Sequence, residues 1–141
     1  MNTTVLLMLP GFLVGLTLHE LSHALAAVWL GDRSPAMQGR ISLNPLRHLS
    51  PIGTIAFFTI GIGWARPVSV NIYNFKRPRL DFLLVSLAGP LVNVILTLLL
   101  ALSALYLPQP GGMYHRLCLY GSVANAVLAV VNLLPIPPLD G

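Results

Sequence analysis

The chain has 141 residues, of which 55% are hydrophobic and 9% charged, and its formal net charge is +4. An ordinary soluble domain carries about 25% charged residues, so this composition excludes an ordinary soluble protein and indicates an integral membrane protein. The length favours one domain over residues 1–141. Most basic residues lie in two loops, where membrane topology explains them, so the charge does not indicate a nucleic-acid partner.

Three long apolar segments predict three transmembrane helices, at about residues 5–30, 82–107 and 117–135. Each has about the 20 residues that a helix needs to cross the hydrocarbon core. Pro10 and Pro90 lie inside two of these segments, which membrane helices tolerate. The predicted fold class is therefore an all-α membrane protein.

A shorter apolar stretch at residues 51–64 lies between two basic loops. Apolar segments of about 10–14 residues are more often re-entrant or buried than spanning. Residues 31–50 and 64–81 both carry several arginines or lysines, and the positive-inside rule places both loops in the cytoplasm. The stretch between them is therefore predicted to enter and leave the membrane on one side, with the N-terminus of the chain outside.

The sequence HELSH lies inside the first apolar segment and contains His19, Glu20 and His23. Residues four apart share one face of a helix, so the two imidazoles can bind one zinc ion and Glu20 can act as general base. The alternative is that these are buried polar residues satisfied by neighbouring helices. Ionisable groups at the centre of a membrane helix cost roughly 2.5–3.5 kcal/mol each on insertion scales, which favours the metal site.

Two histidines leave a zinc site short of the three protein ligands that catalytic sites usually have. Glu20 is the only glutamate, and the other candidates lie in loops or at a helix entrance: Asp32, His48, Asp81 and His115. Asp140 follows a proline-rich turn that ends the third apolar segment on the same side as His23. The sequence therefore nominates His19, His23 and Asp140 as ligands of one zinc ion per chain.

Several small or polar residues fall within the second and third apolar segments. Asn93 is predicted to form an interhelical hydrogen bond, with substrate contact as the alternative. Gly89 and Asn125 are predicted to serve helix packing. Arg40 is predicted to shape a loop beside the site.

The motifs HELSH, GRISLNPLRHLSPIGT, GWARPVSVN, SLAGPLVN and NLLPIPPLDG occur in this order over nearly the whole chain. In this respect the chain resembles the site-2 proteases, the zinc intramembrane metalloproteases of peptidase family M50, and in particular their compact type without a PDZ domain. The resemblance implies a site-2 protease core of three transmembrane helices. It also implies a re-entrant β-hairpin-like loop between the first two helices.

The resemblance also implies roles for individual residues. Asp140 would be the third zinc ligand, and Asn132 would face the zinc and stabilise the oxyanion. Gly61 and Gly63 are similar to the glycine pair of the family's hairpin loop, which grips unwound substrate. Family members continue past Asp-Gly with a further membrane segment, so a sequence that stops at Gly141 is predicted to be truncated at its C-terminus.

The predicted function is that of a zinc-dependent intramembrane endopeptidase. Its partners would be transmembrane protein substrates and the lipid bilayer, in the cell membrane of a prokaryote, with the active site toward the cytoplasm. One alternative is a membrane protein that binds, transports or senses metal, in which ligands would be distributed along a path. Another is a catalytically silent scaffold. The sequence determines neither the substrate, nor the regulatory signal, nor the oligomeric state.

Overall fold

The computed structural model describes residues 2–135 of the chain. The described residues form five α-helices and no named strand: α1 (Thr3–Trp29), α2 (Ser34–Met37), α3 (Pro51–Ile60), α4 (Pro78–Tyr106) and α5 (Met113–Asn132). The three long apolar segments of the sequence are helical, as α1, α4 and α5. Pro10 and Pro90 lie inside α1 and α4 without ending them.

The three long helices pack against one another as a bundle. Helices α1 and α5 run in the same direction, because Gly11 lies against Gly121 and Gly15 lies against Asn125. A Cβ atom on Gly11 would lie 2.3 Å from the Cα atom of Gly121, so the two backbones touch where side chains would separate them. Helix α4 runs in the opposite direction.

Within the described residues, two helices are long and apolar enough to cross a membrane, namely α1 and α4. Helix α5, with 20 residues, is not one of them. Helix α4 exposes large apolar side chains along most of its length: Leu83, Leu87, Leu91, Val94, Leu98 and Leu102. Because soluble proteins rarely expose so large an apolar surface, the outer face of α4 fits a lipid environment.

The β-hairpin predicted for residues 51–64 is wrong, because most of this segment is helix α3. The Ser50 hydroxyl accepts a hydrogen bond from the Gly53 N–H at 3.2 Å, and Pro51 occupies the first turn. At the other end Gly61 adopts a left-handed conformation with φ of 77°. A serine cap, an N-terminal proline and a C-terminal glycine are strong helix signals, and here they outweigh the β-branched residues between them.

The residues that precede and follow α3 are in contact with each other. Leu49 and Ala65 form an isolated antiparallel bridge, and the Arg66 N–H donates to the His48 carbonyl at 2.7 Å. Ten helical residues span about 15 Å, roughly half the thickness of a hydrocarbon core. The chain thus leaves this point and returns to it within a segment too short to cross a bilayer.

A buried aspartate fastens the end of α1 to the loop before α4. Asp32 is fully inaccessible to solvent, and its carboxylate accepts hydrogen bonds from the backbone of Ser34 and Asn71 and from the side chain of Asn74. Burial by itself would raise the pKa of Asp32, but these hydrogen bonds stabilise the charged form and hold the pKa below its ordinary value of 3.8. Asp32 is therefore a structural anchor.

Candidate active site

The two histidines of HELSH lie side by side in the middle of the bundle. His19 and His23 are buried, with exposed fractions of 1% and 7%, and their Nε2 atoms are 3.0 Å apart. Gly89 of α4 faces them, and a Cβ atom there would lie 2.5 Å from the Nε2 atom of His23 and 2.7 Å from that of His19. The missing side chain of Gly89 therefore leaves room for both imidazoles.

The hydrogen bond of His23 determines which of its nitrogens can bind a metal. Its Nδ1 atom lies 2.7 Å from the carbonyl oxygen of Val85. Because a carbonyl oxygen only accepts, Nδ1 must carry a hydrogen, and in the neutral ring Nε2 then holds the lone pair. Metal-binding histidines almost always donate their other N–H to a carboxylate, a backbone carbonyl or a water, and the bond of His23 to Val85 is of this kind.

The separation of the two Nε2 atoms fits a shared zinc ion. Zinc binds histidine nitrogen at about 2.0–2.1 Å in tetrahedral geometry, which puts two such ligands roughly 3.3 Å apart. The observed 3.0 Å is close to this value. Within residues 2–135 no group of three histidine, cysteine, aspartate or glutamate side chains surrounds a common point. The third predicted ligand, Asp140, lies outside the described residues.

Glu20 opens onto a cavity of about 470 Å³ that His23 and Asn132 also line. This volume lies in the range of about 300–1,000 Å³ typical of ligand pockets. Glu20 is buried except for 7% of its surface. The side chain of Asn132 donates to the Leu128 carbonyl at 2.9 Å, which ties it to the last turn of α5. The predicted base and the predicted oxyanion residue thus share one cavity.

Another part of the cavity wall is formed by residues 63–68 and 70, in a segment that is neither helix nor strand apart from the bridge at Ala65. Arg40 holds the segment in place, since its guanidinium donates to the carbonyls of Arg66 at 3.2 Å, Pro67 at 3.3 Å and Arg47 at 2.8 Å. Burial lowers the pKa of Arg40, Arg66 lowers it further, and the negative charge of Glu20 opposes both. Arg40 is therefore the residue that shapes the loop beside the site.

The two glycines predicted to contact substrate are placed differently. Gly63 lines the cavity that contains Glu20. Gly61 does not line it, and instead ends α3 and borders a neighbouring apolar cavity of about 400 Å³ that Gly63 also touches. A Cβ atom on Gly61 would have no atom within 4 Å.

The alternative of substrate contact for Asn93 does not fit its position. Asn93 is fully buried and does not line the cavity; its side chain contacts His19 of α1 and Asn125 of α5. It connects the three helices, as the interhelical prediction expected. The sequence predicts a role in helix packing alone for Gly89 and Asn125. The structure shows that Gly89 also lies against the two histidines and that Asn125 is bonded to Asn93.

A periodic signal for these residues is visible in the sequence. Small or polar residues recur every four positions on each long helix: Gly11, Gly15, His19 and His23 on α1, Gly89 and Asn93 on α4, and Gly121 and Asn125 on α5. Residues four apart lie on one helix face. The structure shows that these three faces meet in the centre of the bundle.

Comparisons with known proteins point to the same chemistry. The chain is 44% identical over 137 residues to "Putative zinc metalloprotease YwhC" of Bacillus subtilis, an alignment that covers 92% of this chain and 63% of that protein. It is 34% identical to "Putative zinc metalloprotease Rip2" of Mycobacterium tuberculosis, over 96% of this chain and 54% of that protein. "Putative zinc metalloprotease MJ0611" of Methanocaldococcus jannaschii is 33% identical over 90 residues, which is 64% of this chain and 47% of that protein.

The chain therefore spans between about half and two thirds of the length of these curated relatives. No model of a protein family matches it, and no solved structure matches it. The similarities identify the chain as a homologue of proteins named as zinc metalloproteases.

Proposed function

We propose that this chain is the catalytic core of a zinc-dependent intramembrane protease of the site-2 type, which hydrolyses peptide bonds within transmembrane segments of other proteins. One observation carries the proposal. His19 and His23 bring two nitrogens to the spacing of a zinc site, and the glutamate between them lines a cavity of substrate size. The names of the relatives support zinc and proteolysis.

The residues would divide the reaction among them. A zinc ion bound by His19, His23 and Asp140 would supply Lewis acidity toward the water and the scissile carbonyl. Glu20 accepts a proton as the water oxygen bonds to the carbonyl carbon. Glu20 then returns the proton to the amide nitrogen as the C–N bond breaks. The Asn132 amide donates to the oxygen on which negative charge develops.

The wall formed by residues 63–70 offers a way to bind an unwound substrate. A peptide bond within a helix is shielded, so the substrate must unfold locally and its exposed backbone groups need partners. Addition of the substrate as a strand along an extended segment satisfies such groups. Val68 and Val70 lie on this wall and face the cavity that contains Glu20.

The position of the membrane follows from the basic loops. Both loops, at residues 31–50 and 64–81, would lie in the cytoplasm. Helix α3 would then be re-entrant, which is supported by its length and by the contact between Leu49 and Ala65. The catalytic cavity would open toward the cytoplasmic side.

The test combines zinc content with cleavage of single-span substrates by the full-length protein. Glu20→Gln should keep zinc, because the ligands remain, and should lose about 10²–10⁴-fold in cleavage rate, the usual contribution of a general base. Asp140→Ala should lose both zinc and cleavage. Cleavage by Glu20→Gln at the parental rate would refute the assigned mechanism, and a parent that binds no zinc would refute the proposed function.

A further inference from the structure

Two asparagines are completely buried in the centre of the helix bundle. Asn93 of α4 and Asn125 of α5 both have an exposed fraction of 0%. A buried amide is unfavourable unless its donors and acceptor are satisfied. The partners of these two side chains therefore determine how each amide must be oriented.

The orientation of Asn125 is determined by two carbonyl groups. Its Nδ2 atom lies 3.1 Å from the Gly11 carbonyl oxygen and 2.9 Å from the Gly121 carbonyl oxygen. Carbonyl oxygens only accept, so the NH₂ group must point toward them. The Oδ1 atom of Asn125 is then the atom that faces Asn93.

The same reasoning applies to Asn93. Its Nδ2 atom lies 2.8 Å from the Oδ1 atom of Asn125 and 3.2 Å from the Gly15 carbonyl oxygen. Both partners accept, so the amide oxygen of Asn93 points toward the Nδ1 atom of His19. Because that amide oxygen only accepts, Nδ1 of His19 must carry a hydrogen, and in the neutral ring Nε2 then holds the lone pair.

We propose that Asn125 and Asn93 are positioning residues that set the tautomer and ring orientation of His19. We call this series of hydrogen bonds the asparagine relay. The carbonyls of Gly11 and Gly121 orient Asn125, Asn125 orients Asn93, and Asn93 orients the imidazole of His19. The inference deepens the proposed zinc site and rests on it for its effect on metal. His23 needs no such relay, because a backbone carbonyl fixes its tautomer.

The packing around Asn125 is built to hold the relay. A Cβ atom on Gly15 would lie 2.1 Å from the Oδ1 atom of Asn125 and 2.8 Å from its Cγ atom. The absence of a side chain at Gly15 lets the Asn125 amide reach between α1 and α4. Gly11 and Gly15 also supply the carbonyls that hold the two amides.

A first measurement requires no substitution. Nitrogen chemical shifts of isotopically labelled histidine in the metal-free, full-length protein report the tautomer of each ring. His19 should be the tautomer with the hydrogen on Nδ1. If Nδ1 of His19 carries no hydrogen, the relay is refuted, whether or not the protein binds zinc.

A second measurement compares zinc affinity, determined by competition with a chelator, among three variants. Asn93→Ala should weaken zinc binding about 10–100-fold, the usual effect of removing the partner of a metal-binding histidine. Asn125→Ala should weaken it by a smaller factor in the same direction, and both variants should show a mixture of His19 tautomers. Unchanged affinity and an unchanged tautomer in Asn93→Ala would overturn the inference.

Ser122→Ala is the matched control. Ser122 is buried on α5 and donates to the Thr97 carbonyl on α4 at 3.1 Å, so it also joins these two helices. Among the described residues its interhelical hydrogen bonds are to Thr97 and not to Asn93 or His19. Its zinc affinity should equal that of the parent. If Ser122→Ala and Asn125→Ala weaken zinc binding equally, the asparagines act only by holding the helices together. A parent that binds no zinc would refute the proposed function, while the tautomer of His19 would still decide the relay.

Discussion

Buried polar groups are satisfied differently in the helix bundle and in the loops between residues 30 and 77. Inside the bundle, side-chain amides and imidazoles form hydrogen bonds to one another and to backbone carbonyls of the helices, including those of Gly11 and Gly15. In the loop region, two charged side chains are surrounded by loop groups: Asp32 by N–H donors and Arg40 by carbonyls. The loop interactions determine the path of the chain. The bundle interactions determine which ring nitrogen of His19 and of His23 carries a hydrogen.

This difference has a physical basis. Helix backbones satisfy their own hydrogen bonds, so a buried side chain in the bundle finds its partner on another side chain or shares a helix carbonyl, as His23 shares that of Val85. Loop backbones have unsatisfied N–H and C=O groups, and a buried charge can satisfy several of them at once. Substitutions in the bundle should therefore change metal binding, and substitutions in the loops should change stability.

The largest effect is expected for Gly89→Ala. The added methyl carbon would lie 2.5 Å from the Nε2 atom of His23, in the space between the two imidazoles and α4. Either α4 or the histidines must move, and overpacking of this kind costs about 1–3 kcal/mol. We expect a loss of zinc affinity of more than about 100-fold, larger than for Asn93→Ala, since the two ligand nitrogens themselves are displaced.

Gly112→Ala is a suitable control, because Gly112 lies before α5 and the three atoms nearest to its added Cβ atom, at 3.2–3.7 Å, all belong to Gln109. Zinc content and thermal unfolding should be measured for both variants in the same detergent. Parental zinc affinity in Gly89→Ala would contradict the placement of the metal between α1 and α4.

A smaller effect, confined to stability, is expected for Asp32→Asn. The amide NH₂ group would face the Asn71 N–H, which now donates to the Asp32 carboxylate at 2.8 Å. The hydrogen bond would be lost and two N–H donors would face each other. We expect this to destabilise the fold by about 1–3 kcal/mol. Chemical unfolding of the metal-free protein measures this change. Asn74→Ala, which removes one partner and leaves the carboxylate, should cost less.

Asp32→Asn should also change how the stability of the fold depends on pH. Hydrogen bonds hold the pKa of Asp32 below 3.8 in the folded protein, so the stability that it contributes is fully present above the unfolded pKa. That contribution is lost as the pH falls through the lower folded pKa. Asp32→Asn should therefore be less sensitive to acid than the parent below about pH 4. Identical acid unfolding of the two proteins would show that Asp32 titrates normally.

The smallest effect is expected for Gly61→Ala. Its φ of 77° favours glycine, but an added Cβ atom would contact nothing within 4 Å. The change should cost about 1–2 kcal/mol of backbone strain and leave zinc affinity unchanged. A fall in substrate cleavage without a fall in stability would instead support the substrate contact that the family resemblance implies for Gly61.

Much of this structure could be predicted from local patterns in the sequence. The three long helices follow from the length of the apolar segments, and the proximity of His19 and His23 follows from their spacing on one helix. The recurrence of glycine, asparagine and histidine every four residues also marks the faces that meet. The helix α3 could have been predicted from its serine cap and terminal glycine, had these been weighed against the hairpin that the family resemblance implied.

Only the tertiary structure could decide which nitrogen of each histidine is available to bind a metal. That choice depends on Asn93 and Val85, which lie 74 and 62 residues from the histidines that they contact. It likewise decided that Asn93 is interior, that Arg40 supports the wall of the cavity, and that Glu20 and Asn132 share that cavity. Hydrogen bonds between distant segments depend on how helices pack, and helix packing is set by the summed contacts of all three helices, which no local pattern contains.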